Sequence, residues 1–150
     1  MNIEWRLIKF PDLTPHELYD ALRLRSEVFV VEQNCVFLDQ DGIDKHCFHL
    51  LGYKGDQPVA YSRIVSKGIV YNEVSIGRVV TSPSVRKSGI GKELMSMSIK
   101  AVNDIYGNVP IKIGAQLYLK RFYESFGFEQ ISDVYLEDGI KHIYMQKISS

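Results

Sequence analysis

The sequence predicts an α/β fold with a mixed sheet, on three observations. Segments rich in β-branched and aromatic residues alternate with stretches of helical apolar periodicity. Short glycine turns join several of the strand-like segments directly, and one strand–helix–strand unit is long enough for a parallel crossover.

Taken in order, Trp5 to Phe10 reads as a short strand closed by Pro11. In Thr14-Pro15-His16-Glu17, Thr14 caps a helix, Pro15 takes its first position and Glu17 completes a capping box. Leu18, Ala21, Leu22, Arg25 and Phe29 follow at helical spacing, and Asp39 to Asp44 is an acidic loop. His46 to Tyr53 and Gln57 to Val65 are expected as strands joined by Lys54-Gly55-Asp56, and Ser66-Lys67-Gly68 leads into a third strand over Ile69 to Val80. Ile90, Leu94, Met97/Ser98, Ala101 and Ile105 mark a helix that ends near Gly107. A strand over Val109 to Gln116 precedes a helix over Leu117 to Phe126, stopped by Gly127. Phe128 to Leu136, the turn Glu137-Asp138-Gly139 and His142 to Ile148 then form a hairpin. The unit from 73 to 116 should cross over right-handed with parallel strands. Ligands gather at the carboxyl ends of such strands, which directs attention to the loop at 81–91.

Composition bounds the rest. A chain of 150 residues is one domain, and 45% hydrophobic against 24% charged residues is too apolar for disorder. Eighteen Lys+Arg oppose eighteen Asp+Glu, which argues against a nucleic-acid partner while leaving room for a local cationic pocket. Cys35 and Cys47 are too few for a disulfide framework. No signal peptide is visible at the start, and no run approaches the roughly 18 apolar residues of a membrane span. The expectation is a single cytoplasmic domain over residues 1–150 with no membrane or nucleic-acid partner.

The loop reads Thr81-Ser82-Pro83-Ser84-Val85-Arg86-Lys87-Ser88-Gly89-Ile90-Gly91-Lys92. Gly89 and Gly91 let a guest approach the backbone, the following helix turns free N–H groups toward it, and Arg86 and Lys87 add charge. A phosphate is the natural guest, although neither the GxxxxGK[ST] nor the GxGxxG spacing is present.

Arg86-x-x-Gly89-x-Gly91, directly after Val79-Val80-Thr81-Ser82-Pro83 and before an amphipathic helix, resembles the acyl-CoA pyrophosphate loop of the GNAT N-acetyltransferases. Phe122-Tyr123-Glu124-Ser125-Phe126-Gly127-Phe128 is similar to the family's Y-x-x-x-G-F segment. The ElaA-like branch is resembled most specifically. The residues that carry this are Arg25 to Gln33, Asp41-Gly42-x-Asp44, Ile76-Gly77-Arg78-Val79, Ala115-Gln116 and Glu137-Asp138-Gly139-Ile140-x-His142. The stretch Arg25-x-x-Val28-Phe29-x-x-Glu32-Gln33 is also similar to that of acyl-homoserine-lactone synthases.

The resemblance implies the GNAT fold, a splayed central mixed sheet flanked by helices, with acetyl-CoA as cosubstrate. It implies acetyl transfer to a primary amine, small molecule or peptide, by direct attack in a ternary complex. CoA pyrophosphate would lie on the backbone from Arg86 through Lys87, Ser88, Gly89 and Ile90 to Gly91, with Lys92 alongside. The pantetheine arm would run beside Val79, Val80 and Thr81, with Gln116 and Tyr123 also on the cofactor. An N–H of Val79 or Val80 would polarise the thioester carbonyl. Tyr123 is the candidate acid, since a phenol with a pKa of about 10 can protonate a thiolate whose acid has a pKa of about 8.5.

The base is open. Glu73 is a candidate, but the family's strand glutamate aligns with Ser75, and His49 and Glu32 are further candidates. Arg25, Arg63 and Arg78 either form ion pairs with Glu27, Glu32 and the acidic loop, or one of them binds an acidic group of the acceptor. Arg25, Glu32, His49 and Arg78 therefore stand as candidate acceptor contacts. That loop is also expected to give the acceptor side an acidic character. No metal is expected: Cys47-Phe48-His49 has no ligand spacing, and Gly42 is misplaced for a calcium loop. The alternatives are acyl-homoserine-lactone-type chemistry and a CoA-binding sensor without turnover. A homodimer through the edge of the C-terminal hairpin is a possible assembly.

Overall fold

A computed structural model describes residues 2–148. Eight strands form one mixed sheet in the order β1-β2-β3-β4-β5-β8-β6, with β7 also paired to β8. They are β1 Glu4–Lys9, β2 Phe48–Lys54, β3 Gln57–Val65, β4 Val74–Thr81, β5 Ile111–Gln116, β6 Glu129–Gln130, β7 Tyr135–Glu137 and β8 Ile140–Lys147. The helices are α1 Pro15–Arg25, α2 Ile90–Tyr106 and α3 Lys120–Glu124.

Both bonds of the capping box form: the Glu17 N–H donates to Thr14 Oγ1 at 3.1 Å, and the Thr14 N–H to Glu17 Oε1 at 2.9 Å. At Arg25 the helix passes into a π-helical turn, Ser26–Glu32, which holds Phe29. Leu50 and Leu51 alternate along β2, as do Ala60 and Tyr61 along β3, and each pair sends one side chain to each face. Leu51 and Tyr61 pack with Ala21 and Leu24 of α1, while Leu50 and Ala60 pack with Ile90 and Leu94 of α2. The largest apolar cluster joins Met95 and Val102 of α2 to Ile111 and Ile113 of β5, Ile143 and Met145 of β8, and Tyr123 and Phe128.

Several boundaries differ from the sequence reading, among them the helix expected over Leu117 to Phe126, which is α-helical only over Lys120–Glu124, and three differences have a visible local cause. β2 begins at Phe48 because Asp44–His46 closes a 3-10 turn. β4 begins at Val74 rather than Ile69, since the Gly68 N–H donates to the Tyr71 carbonyl at 2.7 Å and folds that segment back. The last hairpin is interrupted: Ser132 Oγ accepts the Tyr144 N–H at 2.9 Å, taking a ladder position between β6 and β7. Its tight turn holds Asp138 and Gly139 at φ 50° and 78°, as a two-residue hairpin with φ positive at both positions requires.

Two features of β4 make the site. Its parallel pairing with β5 is confined to Val74 with Ile111 and Ser75 with Lys112. Beyond that point β4 continues on β3 and β5 on β8, so the sheet parts. β4 also carries a bulge: Gly77 faces Arg63 and Val80 faces Tyr61, leaving Arg78 and Val79 opposite the single residue Ser62, with Arg78 at φ 49°.

Candidate active site

The parted strands open into a cavity of about 1030 Å³. β4 from Ser75 to Thr81 forms one wall, and Ile113, Gly114 and Gln116 of β5 the other. Arg86, Gly91 and Leu94 also line it, as do Tyr71, Tyr135, Glu137 and His142. Tyr123 lies in the wall, and the π-helical turn with Phe37 and Leu38 adds a further side.

In the glycine loop, Lys87 and Gly89 hold positive φ of 68° and 87°. A Cβ on Gly89 would meet nothing within 4 Å, so conformation rather than space calls for glycine there. The Ile90 side chain is buried in the core, and Lys87, Ser88 and Lys92 are exposed. The Glu93 N–H donates to the Gly89 carbonyl at 3.1 Å, and the N–H groups that precede it are the unpaired first turn of α2. The Arg86 N–H is instead directed at the Pro83 carbonyl, at 3.5 Å, which removes it from the expected cradle. The Arg86 guanidinium grips both oxygens of Glu32, at 2.5 and 2.7 Å, and reaches the Thr81 carbonyl at 3.3 Å. Glu32 thus sits beside the glycine loop, paired with Arg86. Gln116 is in contact with Gln33 at 3.3 Å, tying β5 to the π-helical turn.

Tyr123 is 6% exposed, with Phe122 and Phe128 edge-on at ring centroid distances of 5.3 and 6.1 Å. Burial raises its pKa and keeps the phenol protonated. Val79 and Val80 differ in direction. The Ser82 N–H donates across to Val59 of β3 at 2.8 Å. N–H groups two residues apart on a strand point the same way, so that of Val80 faces β3 and that of Val79 faces the parting.

Of the loop candidates from Arg86 to Lys92 only Arg86 and Gly91 line the cavity, and of the candidates for the base or the acceptor contacts three are not brought to it. Arg25 is 1% exposed, its Nε bonded to Asp39 at 2.7 Å and its Nη1 to Asp44 at 2.8 Å. His49 is 1% exposed; its Nε2 donates to the Asp44 carbonyl at 2.9 Å, so its Nδ1 accepts from the Tyr61 hydroxyl at 2.7 Å. Burial lowers the His49 pKa, so the ring is a neutral structural link and neither a base nor an acceptor contact. Glu73 precedes β4, on the closed side of the Ser75–Lys112 pair, whereas Ser75 lines the cavity. Arg78 does line the cavity, but its Nε and Nη2 are bonded to Asp39 at 2.9 Å. The acidic loop is likewise committed to arginines, which overturns its expected role as an acidic acceptor surface.

Comparison with known proteins agrees with this geometry. The family model described as "Acetyltransferase (GNAT) domain" matches residues 21–149. Protein ElaA of Escherichia coli K12 is 42% identical over 147 residues, 97% of this chain and 96% of that one. The crystal structure of E. coli ElaA superposes with a TM-score of 0.92 at 41% identity, covering 97% of this chain and 99% of that one. That of an acyl-CoA N-acyltransferase from Pseudomonas aeruginosa gives 0.93 at 38% identity, with the same coverages. The chain belongs to the GNAT acetyltransferase family, in its ElaA-like branch.

The tyrosine-lined wall of this GNAT cavity is not legible residue by residue. Gly114 is a floor on which the Tyr71 and Tyr135 hydroxyls converge, each 3.0 Å from where a Cβ would stand. Tyr135 stacks on Tyr144 at 4.6 Å and on His142 at 5.7 Å, while Tyr71 meets Tyr144 edge-on at 5.7 Å. Burial pushes Tyr71 up to about 12 and also raises Tyr135, so both phenols stay neutral. The available signal was alternation along β8, which puts His142 and Tyr144 on one face. Among the described residues there is no group of three or more His, Cys, Asp or Glu side chains that could hold a metal, and no helix long and apolar enough to cross a membrane.

Proposed function

We propose that the protein is an N-acetyltransferase that moves the acetyl group of acetyl-CoA to a primary amine by direct attack in a ternary complex. The observation that carries this is the parting of β4 from β5 after Ser75 and Lys112, with Arg86 and Gly91 of the glycine loop and a buried tyrosine lining the opening. The pyrophosphate would sit on the N–H groups from Lys87 to Lys92, where the helix dipole and unpaired donors favour an anion. The pantetheine arm would lie along Val79 to Thr81, and the Val79 N–H would face the thioester carbonyl; losing such a donor costs about 10²–10³ in rate.

The amine attacks the carbonyl carbon, a C–N bond forms, and the C–S bond breaks as the tetrahedral adduct collapses. Tyr123 gives its proton to the departing sulfur and recovers one from the acylated nitrogen, so the phenol is regenerated each turnover. Proton transfer from a buried phenol to a thiolate is uphill alone, and this second transfer draws it forward.

Calorimetry with acetyl-CoA tests the binding half: saturable binding lost in Gly89→Asp supports it, and unchanged binding refutes it. Thiol release tests the transfer half, over spermidine, 2-phenylethylamine, ethanolamine and a lysine-containing peptide. Binding without thiol release on any amine would favour a sensor. Mass spectrometry of the purified protein for bound CoA needs no choice of acceptor.

A further inference from the structure

We propose that His142 is the general base that deprotonates the acceptor amine, with Glu137 as the outlet for the proton. This rests on the acetyl-transfer reading above and supplies the base that Glu73 and His49 cannot. Nδ1 of His142 lies 2.8 Å from the Ile140 carbonyl. A carbonyl oxygen only accepts, so Nδ1 carries the hydrogen, and in the neutral ring Nε2 is a lone pair. The ring is 7% exposed and what it presents lines the cavity. A buried imidazole whose lone pair finds no N–H or O–H donor among the described residues is placed to take a proton from a guest. His49 makes the contrast, because both of its nitrogens are bonded within the protein.

The surroundings fit that role. His142 pairs in register with Gln116, the last residue of β5 and beyond its parting from β4, and with Tyr135 of β7. Cross-strand partners share a face, so Gln116, His142 and Tyr135 form one row along the cavity. Tyr135 stacks on the ring and fixes its plane. Nε2 stands 3.6 Å from Glu137 Oε2, and the Glu137 side chain is 59% exposed, so a proton received at Nε2 has a carboxylate leading to solvent. Among the described residues, Glu137 and Tyr135 are the titratable groups in contact with the ring.

The protons balance. An acceptor arriving as R–NH3+ gives one proton to Nε2, the neutral amine attacks, and the imidazolium returns its proton to water past Glu137. The second nitrogen proton replaces the one that Tyr123 gives to sulfur. One proton is released per acetyl group transferred.

The first test is made on the protein without ligand. Long-range 1H–15N spectra, assigned by difference with His142→Gln, should show the neutral ring as the Nδ1–H tautomer; an Nε2–H tautomer overturns the proposal. The second uses the amine of the panel that gives the strongest thiol release. His142→Gln should lower kcat/KM by about 10²–10⁴-fold, with acetyl-CoA affinity by calorimetry unchanged and the acidic limb of the pH profile lost. Added imidazole should partly restore turnover in His142→Ala. A His142→Gln enzyme within threefold of the parent, or one that retains the acidic limb, overturns the assignment. Failure of the acetyl-transfer reading would appear separately, as loss of acetyl-CoA binding or thiol release in the parent protein.

Discussion

Arg25 and Asp39 form a buried ion pair at 2.7 Å, with both side chains almost fully removed from solvent. It is one side of a closed ring. Asp39 also binds Arg78, Arg78 binds Asp41, Asp41 binds Arg63, Arg63 binds Asp44, and Asp44 returns to Arg25. Alternating charges tie the end of α1, β3, the β4 bulge and the loop at 39–44 into one unit beside the cavity. Removing one member leaves buried charge uncompensated, so Arg25→Ala should cost about 3–5 kcal/mol. Urea unfolding checks this, and a loss below 1 kcal/mol would show that the ring is not a structural unit.

The same ring predicts acid sensitivity. Burial alone would raise the Asp41 carboxyl, but hydrogen bonding to Arg63 and its charge reverse that and hold it at about 2, against an ordinary 3.8. Asp44 is lowered in the same sense, with Arg25 and Arg63 overcoming its burial. A carboxyl whose pKa is depressed on folding contributes stability that is complete above the unfolded value and is lost as pH falls through the folded one. Asp41→Asn should therefore be less stable than the parent at neutral pH, and the gap should shrink below 3.8 and close near 2. Urea midpoints across that range are the measurement; a gap unchanged at pH 2 would refute the linkage.

Local rules carried much of the fold into the sequence. The capping box at Thr14 and Glu17 and the helix stop at Gly107 follow from neighbouring residues and form as read, whereas the helix expected over Leu117 to Phe126 is a 3-10 turn followed by α3, which ends at Glu124, short of Gly127. The parallel crossover was legible from element order, yet its abrupt end after Ser75 and Lys112 depends on which partner each strand keeps. The ring of arginines and aspartates was open for a related reason. Its members span Arg25 to Arg78, and only the bulge at Arg78 turns that guanidinium onto Asp39. His142 carried no local mark of a base, because its tautomer is fixed by a carbonyl two residues earlier in β8.

Glu32 and Arg86 give a prediction at the glycine loop. Both side chains are part-exposed, so the pair itself is worth about 0–1 kcal/mol. In the proposed binding mode, an arriving pyrophosphate would compete with the Glu32 carboxylate for the same guanidinium. Glu32→Gln should consequently bind acetyl-CoA more tightly, by about 2–5-fold given the size of that pair, while Arg86→Ala should bind it more weakly. Both effects should diminish at high salt. Calorimetry at two ionic strengths decides, and weaker binding by Glu32→Gln would mean that Glu32 orders Arg86 for the cofactor instead of occupying it.

Tyr123→Phe isolates the proposed acid. The ring sits among Phe122 and Phe128, and phenylalanine keeps those edge contacts, so folding and acetyl-CoA affinity should be preserved. Only the proton donor is lost. If the phenol protonates the departing sulfur, kcat should fall by about 10²–10⁴-fold. The loss should be smaller with a thioester whose thiol is more acidic, because such a sulfur leaves without help. Burial keeps the phenol protonated through the neutral range, so the acidic limb assigned to His142 should survive the substitution. Steady-state rates with acetyl-CoA and with a thiophenyl acetate thioester separate the cases. An equal loss with both would assign Tyr123 to positioning the acyl group, and an unchanged rate would remove it from the reaction.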